Sequence, residues 1–112
     1  MYWSSLEMIK LGNDNLTGEI LSSMGTLHNL KSLHLRNNSL SGQIPISLQN
    51  CTASSVIDLS LSKFLGSIPT WIGVSLSNLR ILGLHSNKLS GHIPFEFCRL
   101  TLLQVLDIAH NN

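Results

Sequence analysis

Apolar residues recur along the chain in the same order about every 24 residues. The segment LKSLHLRNNSLSGQIP begins at Leu30 and aligns with four other segments. Those segments begin at Leu6, Ser54, Leu79 and Leu103, which gives spacings of 24, 24, 25 and 24 residues. The fifth unit is incomplete and stops at Asn112. Because a fixed period of this length is typical of stacked repeats, residues 1–112 are predicted to form one repeat array.

The pattern inside each unit predicts a short strand followed by a bend. Apolar residues at unit positions 1, 4 and 6, such as Leu33 and Leu35, alternate with polar ones, so one strand face is expected to be buried. Position 9 carries a side chain that can satisfy backbone groups where the strand ends. Its occupants are Asp14, Asn38, Ser62, Asn87 and Asn111. Position 13 is glycine, which suits a turn with unusual backbone angles: Gly18, Gly42, Gly66 and Gly91.

The second half of each unit predicts a short return segment. An Ile-Pro pair, as at Ile44-Pro45, favours extended backbone and ends the ladder of hydrogen bonds. A second apolar cluster follows and is expected to pack as a helical or 3₁₀ return on the convex side. Because one unit cannot bury its own leucines, the units must stack. The predicted fold is an α/β right-handed horseshoe solenoid with a parallel β-sheet on its concave face.

These columns are those of the leucine-rich repeat. Units that read LxxLxLxxNxLxGxIPxxLxxL resemble the extracellular repeats of plant receptor-like proteins and receptor-like kinases. The order of SLHLRNNSLSGQIPISLQNCT, GSIPTWIG, LSNLRILGLHSNKLSGHIP and LQVLDIAHNN most resembles the C-terminal part of the repeat array in receptors for fungal ethylene-inducing xylanase. The resemblance covers essentially the whole chain. It implies an extracellular location for the parent protein and a partner receptor kinase.

The chain departs from the family pattern at several columns. Position 9 is Asp14 in the first unit and Ser62 in the third, Leu21 replaces the first proline, and Ser54 replaces a framing leucine. Within these residues we expect no signal peptide, paired-cysteine cap, transmembrane segment or kinase segment. We therefore expect an uncapped fragment of a longer array, which associates or is marginally stable in isolation because both ends expose leucines and strand edges.

Polar residues that point outward from successive strands are expected to align on the concave sheet. These positions have no intrinsic structural duty, so they are the candidate ligand-binding residues, although each could also be a merely solvated strand residue. The set is Lys10, His34, Arg36, Asp58, Ser60, His85, Asp107 and His110. Histidines gain charge as the pH falls from neutral, which makes pH-sensitive binding a further hypothesis.

Composition excludes several other functions. Charged residues make up 12% of the chain, about half the usual ~25%, and the net charge is +1 without a basic run, so no nucleic-acid partner is expected. No apolar stretch reaches the ~18–20 residues of a membrane span, so no membrane contact by this segment is expected. No catalytic motif is present, and the repeat explains the serines, histidines and aspartates, so we predict no enzyme. No cofactor or metal site is predicted either, since His34 and His85 lie two units apart.

Three sequons and two cysteines bear on modification. The candidate glycosylation sites are Asn15, Asn37 and Asn50, a number close to chance for this composition. Cys51 lies in an apolar column and Cys98 does not, and two units between them exceed the reach of a disulfide. We therefore predict no bond between them.

Trp71 either covers the return segment or anchors a partner.

The leading functional hypothesis is a non-catalytic binding module. It would be part of the ectodomain of a plant receptor-like protein in defence or developmental signalling, and would recognise a peptide, protein or glycan elicitor. A secreted inhibitor of a microbial enzyme, of the polygalacturonase-inhibitor type, is one alternative. A truncated gene product without independent function is the other.

Overall fold

The computed structural model describes Trp3 and residues 5–111, and within them the chain coils into a solenoid with two parallel sheets. The strands are β1 (Met8–Lys10), β2 (Ser32–His34), β3 (Ser41–Gly42), β4 (Val56–Asp58), β5 (Lys63–Ser67), β6 (Ile81–Gly83), β7 (Lys88–Ser90) and β8 (Val105–Asp107). The α-helices are α1 (Gly18–Ser23) and α2 (Trp71–Ser75). The 3₁₀ helices are Met24–Thr26, Ile46–Asn50 and Phe95–Arg99.

The larger sheet has the order β1-β2-β4-β6-β8, and all of its pairs are parallel. Residues that pair across it lie 24, 24, 25 and 24 positions apart, as at Met8 and Ser32 or at Ile57 and Leu82. Each unit therefore contributes one strand in the same register. The predicted solenoid with a parallel sheet and short helical returns is confirmed.

The core lies between the larger sheet and the returns. Strand residues at positions 4 and 6 are buried in the middle units, as at Leu33 and Leu35, and so is position 11, as at Leu40 and Phe64. The returns contribute a second row of buried side chains, Met24, Leu48, Ile72 and Phe97. Stacking buries in each unit what that unit cannot bury alone.

The position-9 side chains join neighbouring units through the backbone. Asn38 Oδ1 accepts the backbone N–H of Asp14 at 3.0 Å, and Asn38 Nδ2 donates to the carbonyl of Leu11 at 2.8 Å and to that of Leu35 at 3.0 Å. Ser62, which replaces asparagine, has a shorter side chain, and its hydroxyl donates to the Asn38 carbonyl at 2.8 Å. The expected role in the bend is thus extended, since the side chain also reaches the preceding unit.

The glycine prediction is wrong in the first unit. Gly42, Gly66 and Gly91 have positive φ angles of 76°, 85° and 86°, as a turn that favours glycine requires. Gly18 instead begins α1, because the first unit lacks the proline that ends the ladder elsewhere and has Leu21 in its place.

A second sheet, with the order β3-β5-β7, was not expected from the sequence. It forms from positions 10 to 14, where small residues such as Ser41, Ser67 and Ser90 alternate with buried ones. Its strands pair in parallel beside the larger sheet, as Leu65 does with Lys88.

Candidate ligand-binding face

The concave face of the larger sheet has two columns of side chains, which we name after their unit positions. Column 3 contains Met8, Ser32, Val56, Ile81 and Val105, and column 5 contains Lys10, His34, Asp58, Gly83 and Asp107. Because side chains alternate along a strand, both columns point away from the core. The strand residues between them, such as Leu33 and Leu82, are buried.

Column 3 is apolar and open to solvent over much of its length. Met8 is 59% exposed, Ile81 38% and Val105 48%, and only Ser32 in this column is buried. Apolar side chains on the outer face of a sheet remain in contact with water and do not gain the favourable free energy of burial. The column is therefore an apolar strip beside the polar column 5.

Column 5 changes from basic to acidic along the solenoid. Lys10 and His34 lie on the first two strands, and Asp58 and Asp107 lie on the third and fifth. Lys10 and Asp107 are exposed, whereas His34 and Asp58 are half-buried. A ligand that lies across the strands would meet opposite charges at its two ends.

Asp58 is held by two contacts. Its Oδ2 lies 3.5 Å from Arg36 Nη1, and its Oδ1 accepts the backbone N–H of Ser60 at 3.1 Å. The Arg36 side chain is 52% exposed and that of Asp58 is 16% exposed. Solvent screens a pair of this kind, so its main effect is on the position of the carboxylate rather than on stability.

Ser60 differs from the other predicted surface residues because it is completely buried. The expectation that it points into solvent is wrong, since none of its surface is accessible to solvent. Within the described residues, Ser60 Oγ is a buried side-chain oxygen without a hydrogen-bond partner. It remains close to the face, because Ser60 N–H is bonded to Asp58.

The other predicted residues lie along one margin of the face. Arg36 and His110 are exposed, and His85 is half-buried with its Nδ1 3.1 Å from Ser86 Oγ. The residue at position 8 has a left-handed backbone in every described unit, with φ of 57–63°. These residues are Asn13, Asn37, Leu61, Ser86 and His110. The structure thus gathers Arg36, Asp58 and Ser60, and it places Lys10 and His110 near opposite ends of the sheet.

The sequon asparagines are all on the surface. Asn15, Asn37 and Asn50 are exposed, but Asn37 Nδ2 donates to Asn13 Oδ1 at the margin of the concave face. A glycan would have to replace that hydrogen bond, which neither of the other two positions makes among the bonds described.

The two cysteines have different environments, and both thiols are free. Cys51 is buried and its Sγ contacts the Met24 carbonyl at 3.4 Å. Burial raises the pKa of the Cys51 thiol from 9.0 to about 11. Cys98 is exposed on the return side. Trp71 is partly buried against the core, so it covers the return segment.

Sequence reasoning missed column 3. Its signal was present, because Met8, Val56, Ile81 and Val105 recur at one unit position, each directly after a polar residue. No role was predicted for this position, and the sheet geometry shows that these side chains lie on the open face. Among the described residues, no helix is long and apolar enough to cross a membrane.

Comparison with known proteins identifies the repeat. The family model described as Leucine Rich Repeat matches residues 29–51 and 78–100. Over 66 residues the chain is 35% identical to phytosulfokine receptor 1, and over 66 residues it is 41% identical to receptor-like protein 39, both from Arabidopsis thaliana. The aligned parts are 59% and 58% of this chain but 6% and 8% of those proteins. The aligned part therefore spans less than a tenth of the length of each of these relatives.

Several of the solved structures of similar fold are plant receptor ectodomains. A chain in the Arabidopsis thaliana BIR3–SERK2 complex is 42% identical, with a TM-score of 0.82 over 93% of this chain and 55% of that one. The Arabidopsis receptor kinase HAESA ectodomain, in complex with an IDA peptide hormone, is 31% identical, with a TM-score of 0.81 over 96% and 18%.

A third ectodomain is matched over most of its own length. This is the ectodomain of the Arabidopsis thaliana receptor kinase SOBIR1, which is 32% identical with a TM-score of 0.72 over 92% of this chain and 68% of that one. The repeat register, the parallel sheet and these similarities agree. The chain belongs to the leucine-rich-repeat family, and it is similar to the receptor-like members of that family in plants.

Proposed function

We propose that the chain is a non-catalytic ligand-binding segment in the extracellular part of a plant receptor-like protein, and that its concave face binds a peptide or protein. The observation that carries the proposal is column 3 beside column 5. Met8, Ile81 and Val105 lie open on the face, where they do not contribute to the core. An exposed apolar strip with charged residues beside it is typical of an interaction surface.

The relatives support this class of ligand. The HAESA ectodomain is described in complex with a peptide hormone, and BIR3 in complex with SERK2. By analogy, we propose a peptide or protein elicitor as the ligand and a receptor kinase as the signalling partner. The order of the motifs along the chain supports the ethylene-inducing xylanase receptor group as the subfamily, with a role in defence or developmental signalling on the outer side of the plasma membrane.

Selection from a phage-displayed library of random peptides tests the proposal on the full chain. The selected peptides are then titrated calorimetrically against wild type, Ile81→Ser and Val74→Ser. Both positions are exposed and aliphatic, but Val74 lies on α2 in a return segment. We expect Ile81→Ser to weaken binding about tenfold and Val74→Ser to leave it unchanged.

Two outcomes would contradict the proposal. One is that the library yields no peptide that binds above an unrelated immobilised protein. The other is that binding falls in Val74→Ser and not in Ile81→Ser, which would place the binding surface on the return side.

A further inference from the structure

Column 5 has a gap at Gly83, between two carboxylates. Gly83 pairs in register with Asp58 on one side and with Asp107 on the other. Neighbouring strands lie about 4.8 Å apart, so the α-carbons of the two aspartates are about 10 Å apart. We call the space over Gly83, between these two side chains, the Gly83 gap.

The Asp58 carboxylate leans into the Gly83 gap. A β-carbon built on Gly83 would lie 2.6 Å from Asp58 Oδ1, which is closer than atoms of this kind approach. The Ser60 N–H bond holds that oxygen, and Arg36 contacts the other oxygen. The absence of a side chain at Gly83 is therefore what allows the carboxylate to occupy this place.

Ser60 places a polar group without a hydrogen-bond partner next to Gly83. Its Oγ lies 3.1 Å from the β-carbon position on Gly83, is completely buried, and has no partner among the described residues. A buried hydroxyl without a partner has lost its bonds to water and gained none. The Gly83 gap therefore has an unpartnered polar group at its base as well as a carboxylate on each side.

The surroundings of the gap select a cation with an apolar stem. Asp107 forms no ion pair within the described residues, so its charge is available. Ile81 and Val105 of column 3 lie two residues before Gly83 and Asp107 on the same strands and are exposed. Lysine and arginine side chains pair a charged head with an aliphatic stem in this way.

We propose that the Gly83 gap binds the lysine or arginine side chain of an extended peptide or protein segment. The cationic head lies between Asp58 and Asp107, and its stem lies on Ile81 and Val105. This inference rests on the proposed function, because it names the chemistry of one group of the ligand on the same face.

The test is an NMR titration of the isotope-labelled full chain with three matched peptides. These are Ac-Val-Lys-Val-NH2, the same peptide with acetylated lysine, and Ac-Val-Glu-Val-NH2. We expect saturable shifts of the backbone amides of Ser60, Gly83 and Ala109 with the lysine peptide, in the millimolar range. Acetylation removes the charge of the lysine but keeps its stem, and glutamate reverses the charge. Both of these peptides are therefore expected to bind at least about tenfold more weakly than the lysine peptide.

Variants then locate the cation. Asp58→Asn and Asp107→Asn are expected to lower the affinity for the lysine peptide about tenfold, whereas Glu19→Gln, on α1, leaves it unchanged. Gly83→Ala adds a β-carbon that displaces the Asp58 carboxylate. Gly83→Ala is therefore also expected to weaken binding. Its melting temperature should be unchanged, because the other units have side chains in column 5 and the fold tolerates them there.

The inference is overturned if the acetylated peptide binds as well as the lysine peptide, or if both asparagine variants bind like wild type. These failures differ from a failure of the proposed function. If all three peptides shift column 3 amides with equal affinity, the cation site is wrong and the peptide-binding face stands. If no peptide shifts any concave amide, the cation site is wrong, and the library selection decides the proposed function separately.

Discussion

Asn87 bonds to the backbone of Phe64, which lies 23 residues earlier in the chain. Asn87 Oδ1 accepts the Phe64 N–H at 3.2 Å. Its Nδ2 is within hydrogen-bond distance of the carbonyls of Leu59, Leu84 and His85, at 3.1, 3.1 and 3.2 Å. One buried amide therefore satisfies the bend of its own unit and the backbone of the unit before it.

Asn87→Ala is expected to lower the free energy of unfolding by about 2–3 kcal/mol, because it leaves buried backbone groups without partners. Asn78 is a matched control, since it is exposed and its Nδ2 makes one bond across units, to Thr52 at 2.9 Å. Asn78→Ala should change stability by about 0.5 kcal/mol or less. Urea unfolding followed by circular dichroism measures both, and equal losses would contradict the role of Asn87.

Gly73 allows two return segments to approach closely. A β-carbon there would lie 2.5 Å from the Glu96 carbonyl oxygen and 2.9 Å from the Phe97 nitrogen. Because backbone atoms cannot move aside, Gly73→Ala is expected to destabilise the chain by about 1–3 kcal/mol. Gly18→Ala meets nothing within 4 Å and should raise stability by about 0.4–1 kcal/mol. Thermal melts of the two variants should therefore shift in opposite directions, and a shift in the same direction would count against this packing.

Ser54 and Ser60 are both completely buried but differ in hydrogen bonding. Ser54 Oγ donates to the Leu30 carbonyl at 2.7 Å, whereas Ser60 Oγ has no described partner. Ser54→Ala should lower the free energy of unfolding by about 1–2 kcal/mol, and Ser60→Ala should leave it unchanged or raise it. Denaturant midpoints compare them. If Ser60→Ala were the more destabilising change, its hydroxyl would have a partner after all.

The Cys51 thiol makes stability depend on pH above neutrality. Its pKa is about 11 in the folded chain against 9.0 for an ordinary thiol, because burial disfavours the thiolate. The folded state thus holds the proton more tightly. This stabilisation is complete below pH 9 and is lost as the pH rises to about 11, by roughly 3 kcal/mol.

Urea unfolding at several pH values between 8 and 11 measures this loss. Wild type should lose more stability over that range than Cys51→Ala, which lacks the thiol. Cys98→Ala, which removes the exposed thiol, should behave like wild type. A thiol reagent should label Cys98 in the native chain and Cys51 only on unfolding. Native labelling of both thiols at equal rates would show that Cys51 is accessible.

The first unit presents an apolar hollow beside the free edge of β1. The hollow has a volume of about 530 Å³, and its lining includes Trp3, Met8, Leu11 and Ile20, which are all exposed. In the interior units the counterparts of Leu11 and Ile20, such as Leu35 and Ile44, are buried. We expect the isolated chain to associate as its concentration rises, because these side chains and the unpaired edge remain open.

Sedimentation velocity over a range of concentrations tests this expectation. The double change Met8→Lys and Ile20→Lys should shift the chain towards monomer, since charges on this unit oppose docking. Val74→Lys, on α2, is the control and should leave association unchanged. A monomeric wild type across the concentration range would contradict the expectation.

Much of the larger sheet was predictable because a 24-residue period carries its own register. Leu33 and Ile57 must pair if each unit stacks on the last, so the alternation within one unit determines which residues are buried in all of them. The second sheet was not predictable in this way. Residues such as Ser41 and Ser67 have no strong strand preference, and their pairing depends on how the stacked units bring them together.

The sequence by itself determined the repeat, the buried leucine columns and the polar column that includes Asp58 and Asp107. Only the tertiary structure decided what lies between those two carboxylates. In the sequence, glycine at position 83 indicates only that a side chain is missing, and Ser60 is predicted to be exposed. The lateral stacking of three strands turns Asp58 over Gly83 and buries Ser60 beside it, since contacts between residues 25 positions apart depend on packing and not on local pattern.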